Sequence, residues 1–155
     1  MIKIEVLKSY DGEADTGLGG NSVDLTSGPA FVAKASNIVT KATSSSVIAG
    51  VSLTQKAFAS DNQTVAGLKV EYVPARVDNL YGVTISGGTI TVADEGKFYN
   101  LTDSVTVDGT TESVTGVYTK TDDSGAAIDP TLNFQLQLVK FVSATYSMFR
   151  IVTVA

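Results

Sequence analysis

Two Asp-Thr/Ser-Gly triplets are the residues whose types and spacing come nearest to a catalytic pattern. They begin at Asp15 and at Asp123, and aspartic proteases use two such triplets to bring together carboxylates that share one proton. In those enzymes an apolar strand precedes each aspartate, whereas Glu-Ala at 13–14 and Thr-Asp at 121–122 precede them here. Asp-x-Gly is also ordinary turn composition. We therefore interpret both triplets as turns and expect no enzymatic activity.

Metal and nucleophile chemistry is restricted by the absence of histidine and cysteine from the 155 residues. This absence excludes nucleophiles that depend on either residue, haem ligation, and zinc sites with nitrogen or sulfur ligands. Asp11, Glu13 and Asp15 are spaced like the start of a calcium loop. The glycine and the bidentate glutamate of such a loop are replaced by Thr16 and Ser22. We interpret the stretch as a solvated acidic loop, and expect no metal and no cofactor.

The aromatic residues, six Tyr and six Phe without Trp, offer a second kind of binding site. An exposed set of Tyr72, Tyr81, Tyr99 and Tyr118 would form a stacking platform for sugars. The lack of Trp disfavours that alternative. A simpler role is predicted for the aromatics of the C-terminal segment, which we place in the core: Phe134, Phe141, Tyr146 and Phe149.

The charge balance disfavours nucleic acid as a partner. Eleven basic and sixteen acidic residues give a net charge of −5, and only Arg76 and Arg150 are arginines. Nucleic-acid-binding proteins normally concentrate Lys and Arg on one face. The first residues alternate apolar and charged side chains, unlike a signal peptide, and no run approaches the ~20 apolar residues that cross a bilayer. We expect neither a nucleic-acid nor a membrane partner.

The elements that must position these residues are predicted to be strands. Val and Thr dominate and alternate with polar residues, which is typical of pleated strands. The length fits one domain. We predict an all-β domain, a β-barrel or β-sandwich of about eight to ten short antiparallel strands with little helix. Strands are expected at residues 2–6, 68–72, 83–85, 89–92, 105–107, 134–142 and 146–154, the last two forming a hairpin at the centre of the sheet.

Glycines indicate where the chain turns between strands. Gly87-Gly88 and Asp108-Gly109 predict hairpin turns, because glycine tolerates positive φ. Helix is expected to be scarce: its best candidates are the short segments 30–35 and 60–65, with one helical turn at residues 93–97.

The N-terminal 29 residues differ from the remainder. Residues 10–29 hold five of the fourteen glycines and few apolar side chains, so they predict an extended arm or long loop that separates a first strand from a β-rich domain over 30–155. It is either a flexible surface loop or an arm that orders on a neighbouring chain. Ile2, Ile4 and Val6 form one apolar face that must pair with this domain or with a partner.

Three segments occur in an order that carries a family resemblance. Residues 47–53 read Val-Ile-Ala-Gly-Val-Ser-Leu, residues 93–103 read Ala-Asp-Glu-Gly-Lys-Phe-Tyr-Asn-Leu-Thr-Asp, and residues 138–152 run through Phe-Val-Ser-Ala-Thr into Tyr-Ser-Met-Phe. In this order they resemble the head decoration (cement) proteins of tailed bacteriophages, in which a similar strand, an Asp-x-Gly-Lys-x-Phe-x-Leu-Thr-Asp turn and a closing hairpin recur. The resemblance covers roughly residues 47–154.

The resemblance implies a structural virion protein, not an enzyme. Such proteins lie on the outer surface of the expanded capsid head, often as homotrimers, and lock neighbouring major capsid protein subunits together. Ile2, Ile4 and Val6 are then the candidate contact residues with the capsid or a second protomer. The alternative is a tail-fibre, baseplate or head-fibre adhesion module that binds a glycan or protein of the host surface. An adhesion module is expected to bind isolated glycan, and a cement protein to bind assembled capsids.

Overall fold

β-strands form nearly all of the regular structure, as the alternating sequence predicts. The computed structural model describes residues 4–6, 14–76, 79–113, 120–121, 127–129 and 134–152. In chain order the strands are β1 (Ile4–Val6), β2 (Asp15–Gly19), β3 (Phe31–Ala35), β4 (Ile38–Lys41), β5 (Gly50–Ser52), β6 (Lys69–Pro74), β7 (Tyr81–Ser86), β8 (Phe98–Asp103), β9 (Thr106–Ser113), β10 (Lys120–Thr121), β11 (Ala127–Asp129), β12 (Leu136–Ser143) and β13 (Tyr146–Ile151). A π-helical turn (Asn62–Ala66) and a 3₁₀ turn (Val92–Asp94) interrupt them. The prediction of an all-β domain with little helix is therefore confirmed.

The first barrel closes in the order β2-β4-β3-β5-β6, with β2 parallel to β4 and antiparallel to β6. Its interior is filled by apolar side chains, because alternate residues of each strand point inward. The buried members of this core are Leu25, Ala30, Val32, Val39, Phe58, Val70 and Tyr72.

Strand β2 corrects part of the prediction of an extended arm or long loop over residues 10–29. Gly17 and Gly19 are buried, and a Cβ on Gly17 would collide with Val39, while one on Gly19 would collide with the ring of Phe58. The glycines here provide close packing inside a barrel and are not a sign of flexibility. Residues 20–29 follow as a loop, in which Leu25 is buried. The boundary drawn at residue 29 thus falls in the connection between β2 and β3, within one barrel.

The second barrel contains β7-β13-β12-β8-β9, and a parallel pairing of β7 with β9 closes it. The hairpin of β12 and β13 lies at the centre of this sheet, which confirms the predicted C-terminal hairpin. Strand β1 extends the sheet by pairing with the first half of β7, at residues 81–83. Strand β9 pairs with the second half of β7, at residues 84–86. Strands β10 and β11 form a separate two-stranded ladder.

Two of the predicted hairpins are wrong. After β7 the chain turns through Gly87 and Gly88, which both have φ of 70°, but it continues into the 3₁₀ turn and forms no strand at residues 89–92. Asp108-Gly109 lies inside β9 and not at a turn. A Cβ on Gly109 would collide with the carbonyl of Gly87, so this glycine permits a close backbone approach.

The helix predictions were partly correct. Residues 31–35 of the predicted helix 30–35 form β3 instead, because Phe31 and Val32 are fully buried in the cores and pair across the sheet. Residues 60–65 overlap the π-helical turn, and residues 93–97 overlap the 3₁₀ turn. No helix in the described part of the chain is long and apolar enough to cross a membrane.

The two barrels share one hydrophobic cluster. Phe31 and Ile48 of the first barrel are fully buried in the cluster that contains Tyr81 and Phe149 of the second, and the rings of Phe31 and Tyr81 meet edge to face with centroids 5.7 Å apart. The amide of Phe31 also donates to the carbonyl of Ser104, at 2.8 Å. The barrels are therefore joined by packing and by backbone hydrogen bonding.

Candidate functional site

The predicted contact strand is paired within its own chain. In β1, Ile4 lies opposite Val83 and Val6 lies opposite Tyr81 of β7. Ile2 lies outside the described residues. Among the described strands β1 pairs only with β7, so its other edge has no strand partner there. The contact role of Ile2, Ile4 and Val6 stays a prediction.

A cleft of about 360 Å³ lies between the two barrels. Three separate parts of the chain line it: the loop before β3, the end of β4 with the residues that follow, and the turn between β8 and β9. Leu25 anchors the loop, because its side chain is buried and its amide donates to the carbonyl of Lys56 at 2.9 Å. The lining residues are Asp24, Leu25, Ser27, Gly28, Ala30, Lys41, Ala42, Thr43, Thr102, Asp103, Ser104 and Val105.

Two carboxylates in this cleft are fixed by local hydrogen bonds. Oδ1 of Asp24 accepts from the amide and the hydroxyl of Thr26, at 2.9 and 2.6 Å. These bonds lower the pKa of Asp24 below its usual value, so it is ionised at neutral pH. Oδ1 of Asp103 accepts from the amide of Val105 at 2.9 Å. In both residues Oδ2 accepts no hydrogen bond from the described part of the chain.

Ser104 is a buried residue in the lining of the same cleft. The residue is only 6% exposed, and its carbonyl accepts a hydrogen bond from the amide of Phe31. Its hydroxyl makes no hydrogen bond with a described residue but is not fully buried, since the fully buried side-chain polar atom without a partner in the described part of the chain is Oγ1 of Thr106. Lys41 interacts electrostatically with Asp24 and helps to lower the pKa of its carboxylate. The cleft therefore combines solvent-exposed polar groups with an apolar floor.

A second cluster joins β2, β3 and β6 through Asp15, Lys34 and Tyr72. The Tyr72 hydroxyl donates to Asp15 at 2.8 Å, and the Lys34 ammonium lies 3.5 Å from the same carboxylate. Lys34 also donates to the carbonyl of Thr16 at 3.0 Å. The Tyr72 hydrogen bond is the main reason why the pKa of Asp15 is lowered. Because these three side chains are hydrogen-bonding and ionic partners of one another, they form a polar clamp that holds β2, β3 and β6 of the first barrel together.

This clamp bears on two motif interpretations. Asp15 makes its contacts with a tyrosine and a lysine, while the second aspartate of the protease pattern, Asp123, lies outside the described residues, as do Asp11 and Glu13 of the calcium pattern. Within the described residues no group of three or more acidic side chains is placed to hold a metal ion.

The aromatic platform is not formed by the tyrosines that the structure describes. Tyr72, Tyr81 and Tyr99 are all buried, with 2% exposure or less, so they belong to the cores. Tyr118 lies outside the described residues. Phe149 is fully buried, as predicted. The other three aromatics predicted as core are partly buried: Phe134, Phe141 and Tyr146.

The turn that carries the second resemblance segment is clamped onto the C-terminal hairpin. Lys97 bridges Asp94 and Glu112, at 2.8 Å each. The Glu95 carboxylate accepts from the amide of Phe141 at 3.0 Å, and the amide of Gly96 donates to the carbonyl of Leu138 at 2.8 Å. The charged residues of this motif therefore have structural partners.

Comparisons of the chain with protein-family models, curated proteins and solved structures found no match. The inter-barrel cleft was not predicted from the sequence. Its residues come from three stretches, 24–30, 41–43 and 102–105, which are too far apart in the chain for any spacing pattern to connect them. The missing signal is a tertiary contact: the start of β3 must dock against the turn between β8 and β9, through the hydrogen bond from the amide of Phe31 to the carbonyl of Ser104, before the cleft exists.

Proposed function

We propose that this chain is a capsid cement protein, which binds the outside of the expanded phage capsid and stabilises contacts between major capsid protein subunits. The observation that carries the proposal is the convergence of the three resemblance segments in one core. Ile48 comes from the first segment, Leu101 from the second, and Leu138 and Phe149 from the third, and all are buried in the same cluster. Segments that pack in one core must fit one another. This supports treating their shared order as one family resemblance and not as three separate coincidences.

The joined barrels provide the stiffness that cementing requires. Strand pairing closes each barrel, so most strands have both edges satisfied. Gln135 adds a polar connection between the barrels, because its side-chain amide donates to the carbonyls of Thr43 and Ser46 at 2.7 and 2.6 Å. A rigid body loses little entropy when it binds, and many weak contacts on a lattice reinforce one another.

Strand β1 is the proposed attachment element. Its outer edge has no partner among the described strands, and an extended segment of another chain can add to such an edge through backbone hydrogen bonds. We propose that the capsid or a second protomer occupies it, with Ile2, Ile4 and Val6 in the contact and a homotrimer as the assembled form.

Co-sedimentation with capsids tests the proposal. The purified protein is mixed with empty expanded heads, and separately with unexpanded procapsids, of the phage whose genome encodes the chain. We expect saturable binding to expanded heads and little binding to procapsids, because the cemented contacts form on expansion. Failure to bind expanded heads, together with binding to intact host cells, would favour the adhesion module instead.

A further inference from the structure

The wall of the second barrel contains a buried hydroxyl that has no hydrogen-bond partner. Thr106 is 3% exposed, and its Oγ1 is the fully buried side-chain polar atom without a partner in the described part of the chain. The residue begins β9 and pairs with Thr84 of β7, in the parallel pairing of residues 84–86 with 106–108 that closes the barrel. We call this pairing the β7–β9 seam. A buried hydroxyl without a partner is unfavourable by comparison with a hydrated one, so it favours any state in which water enters the seam.

The seam is short, and side chains support only part of it. It consists of three residue pairs, and parallel pairs are slightly less stable per residue than antiparallel ones. Beyond these pairs glycines face one another. A Cβ on Gly88 would collide with the carbonyl of Gly109, and a Cβ on Gly109 would collide with the carbonyl of Gly87. These glycines allow a close backbone approach but add no side-chain packing that would hold β7 to β9.

The first barrel provides an internal comparison, because it also closes through a parallel pairing, that of β2 with β4. There the amide of Leu18 donates to the carbonyl of Asn37 at 2.8 Å, and the amide of Gly20 donates to the carbonyl of Val39 at 2.9 Å. Within the described residues, this closure contains no fully buried side-chain atom that lacks a partner. The unsatisfied hydroxyl therefore distinguishes the β7–β9 seam from the other parallel closure.

We propose that the second barrel opens locally at the β7–β9 seam. In the open state β9 separates from β7, while β7 stays paired with β13 and β9 stays paired with β8. Opening also exposes the buried side chains of Ile85 and Val107, which keeps the open state a minor one. The open seam presents two strand edges that the closed barrel conceals. This inference does not depend on capsid binding, because the opening belongs to the isolated protein.

Amide hydrogen exchange, followed by NMR on the ¹⁵N-labelled full-length protein, tests the proposal. The amide of Leu101 donates to Gln135 and so points away from β9. Because amides alternate between the two edges of a strand, Val107 opposite Leu101 directs its amide to β7, and Asp108 directs its amide to β8. Although Val107 is fully buried, we expect its protection factor to be at least about 10-fold below those of Asp108 and of Leu18, because the seam opens before the other ladders.

Thr106→Val tests the role of the hydroxyl. The variant keeps the β-branched shape and removes the unsatisfied group, so it is expected to fold and to raise the protection factor of Val107 about 5- to 100-fold. The matched control is Thr40→Val, at an exposed position of β4, which should leave the exchange of Val107 unchanged.

Three results would overturn the proposal. The first is equal protection of Val107 and Asp108 in the parent protein. The second is a Thr106→Val variant whose exchange at Val107 is no slower than in the parent, which would show that an internal water already satisfies the hydroxyl. The third is an equal rise in protection at Val107 and at Leu18, which would show that the seam opens only when the whole molecule unfolds. These measurements use no capsids, so their failure leaves the cement proposal untouched.

Discussion

At the scale of single residues, Gln135 is a buried polar side chain that links the two barrels. It is 2% exposed, and its oxygen accepts from the amide of Leu101 at 2.9 Å while its nitrogen donates to two carbonyls of the loop at 43–46. Asn62 has a similar position in the first barrel, where its amide bonds Gly19 and Leu68. Both residues satisfy backbone groups that strand pairing leaves free.

Gln135→Leu is expected to lower the free energy of unfolding by about 2–4 kcal/mol. The substitution introduces an apolar side chain of similar size but leaves the buried amide of Leu101 and two partly buried carbonyls without their partner. Chemical denaturation measures the change. The control is Gln137→Leu, whose side chain donates to the carbonyl of Gly96 and accepts from Arg150 at a more exposed site. Its effect should be within about 1 kcal/mol, because solvent replaces the lost partners. Equal stabilities for the two variants would show that Gln135 does not join the barrels.

Single aspartates also determine how the free energy of unfolding falls at acid pH. Hydrogen bonds from Tyr72 lower the pKa of Asp15, those from Thr26 lower that of Asp24, and those from Lys97 and Thr110 lower those of Asp94 and Asp108. A lowered pKa in the folded state adds stability above the unfolded pKa, and this stability is lost as the pH falls through the folded value.

Thermal melts should therefore give a constant Tm between roughly pH 6 and 8 and a falling Tm below about pH 4. No histidine is present to titrate in the upper range. Adding calcium at pH 7 should leave the Tm unchanged, because the Asp15 carboxylate is already in contact with Tyr72 and Lys34. A steep change between pH 6 and 8, or a strong rise with calcium, would contradict these assignments.

At the scale of elements, the sequence predicted strands well where apolar residues alternate over a long run, as in β12 and β13, which a short turn joins. It failed where tertiary contacts decide. Gly17 and Gly19 were interpreted as flexible, although they make room for Val39 and Phe58 in a barrel. The parallel pairing of β7 with β9 takes the place of the hairpin that was predicted at Gly87-Gly88. Two strands that pair across a long stretch of chain show no spacing pattern from which the pairing could be predicted. The cleft was missed for the same reason.

Deletion of residues 1–9 is expected to leave a folded protein that no longer binds capsids. Strand β7 keeps β13 on one edge and β9 on part of the other after β1 is removed, so the second barrel stays closed. Circular dichroism melts and co-sedimentation with expanded heads measure the two effects. Removing residues 153–155 is the matched control and should preserve binding. Undiminished binding by the folded truncation would refute the role of β1, and an unfolded truncation would show that β1 is internal core.

At the scale of the whole molecule, charge and architecture favour attachment through the N-terminal half. Residues 1–60 carry five lysines and five acidic residues, so the whole net charge of −5 lies in residues 61–155. An acidic surface repels the second half and not the first. The barrels are joined by a shared core and by Gln135, so attachment at β1 holds the entire body in place.

Cryo-electron microscopy of empty expanded heads, with and without saturating amounts of the protein, tests the cement function most directly. We predict added density on the outer surface only, in trimeric units that each touch more than one major capsid protein subunit, and connected to the shell through the N-terminal strand. Identical maps with and without the protein, or density confined to the tail or to a single site on the head, would contradict capsid cementing.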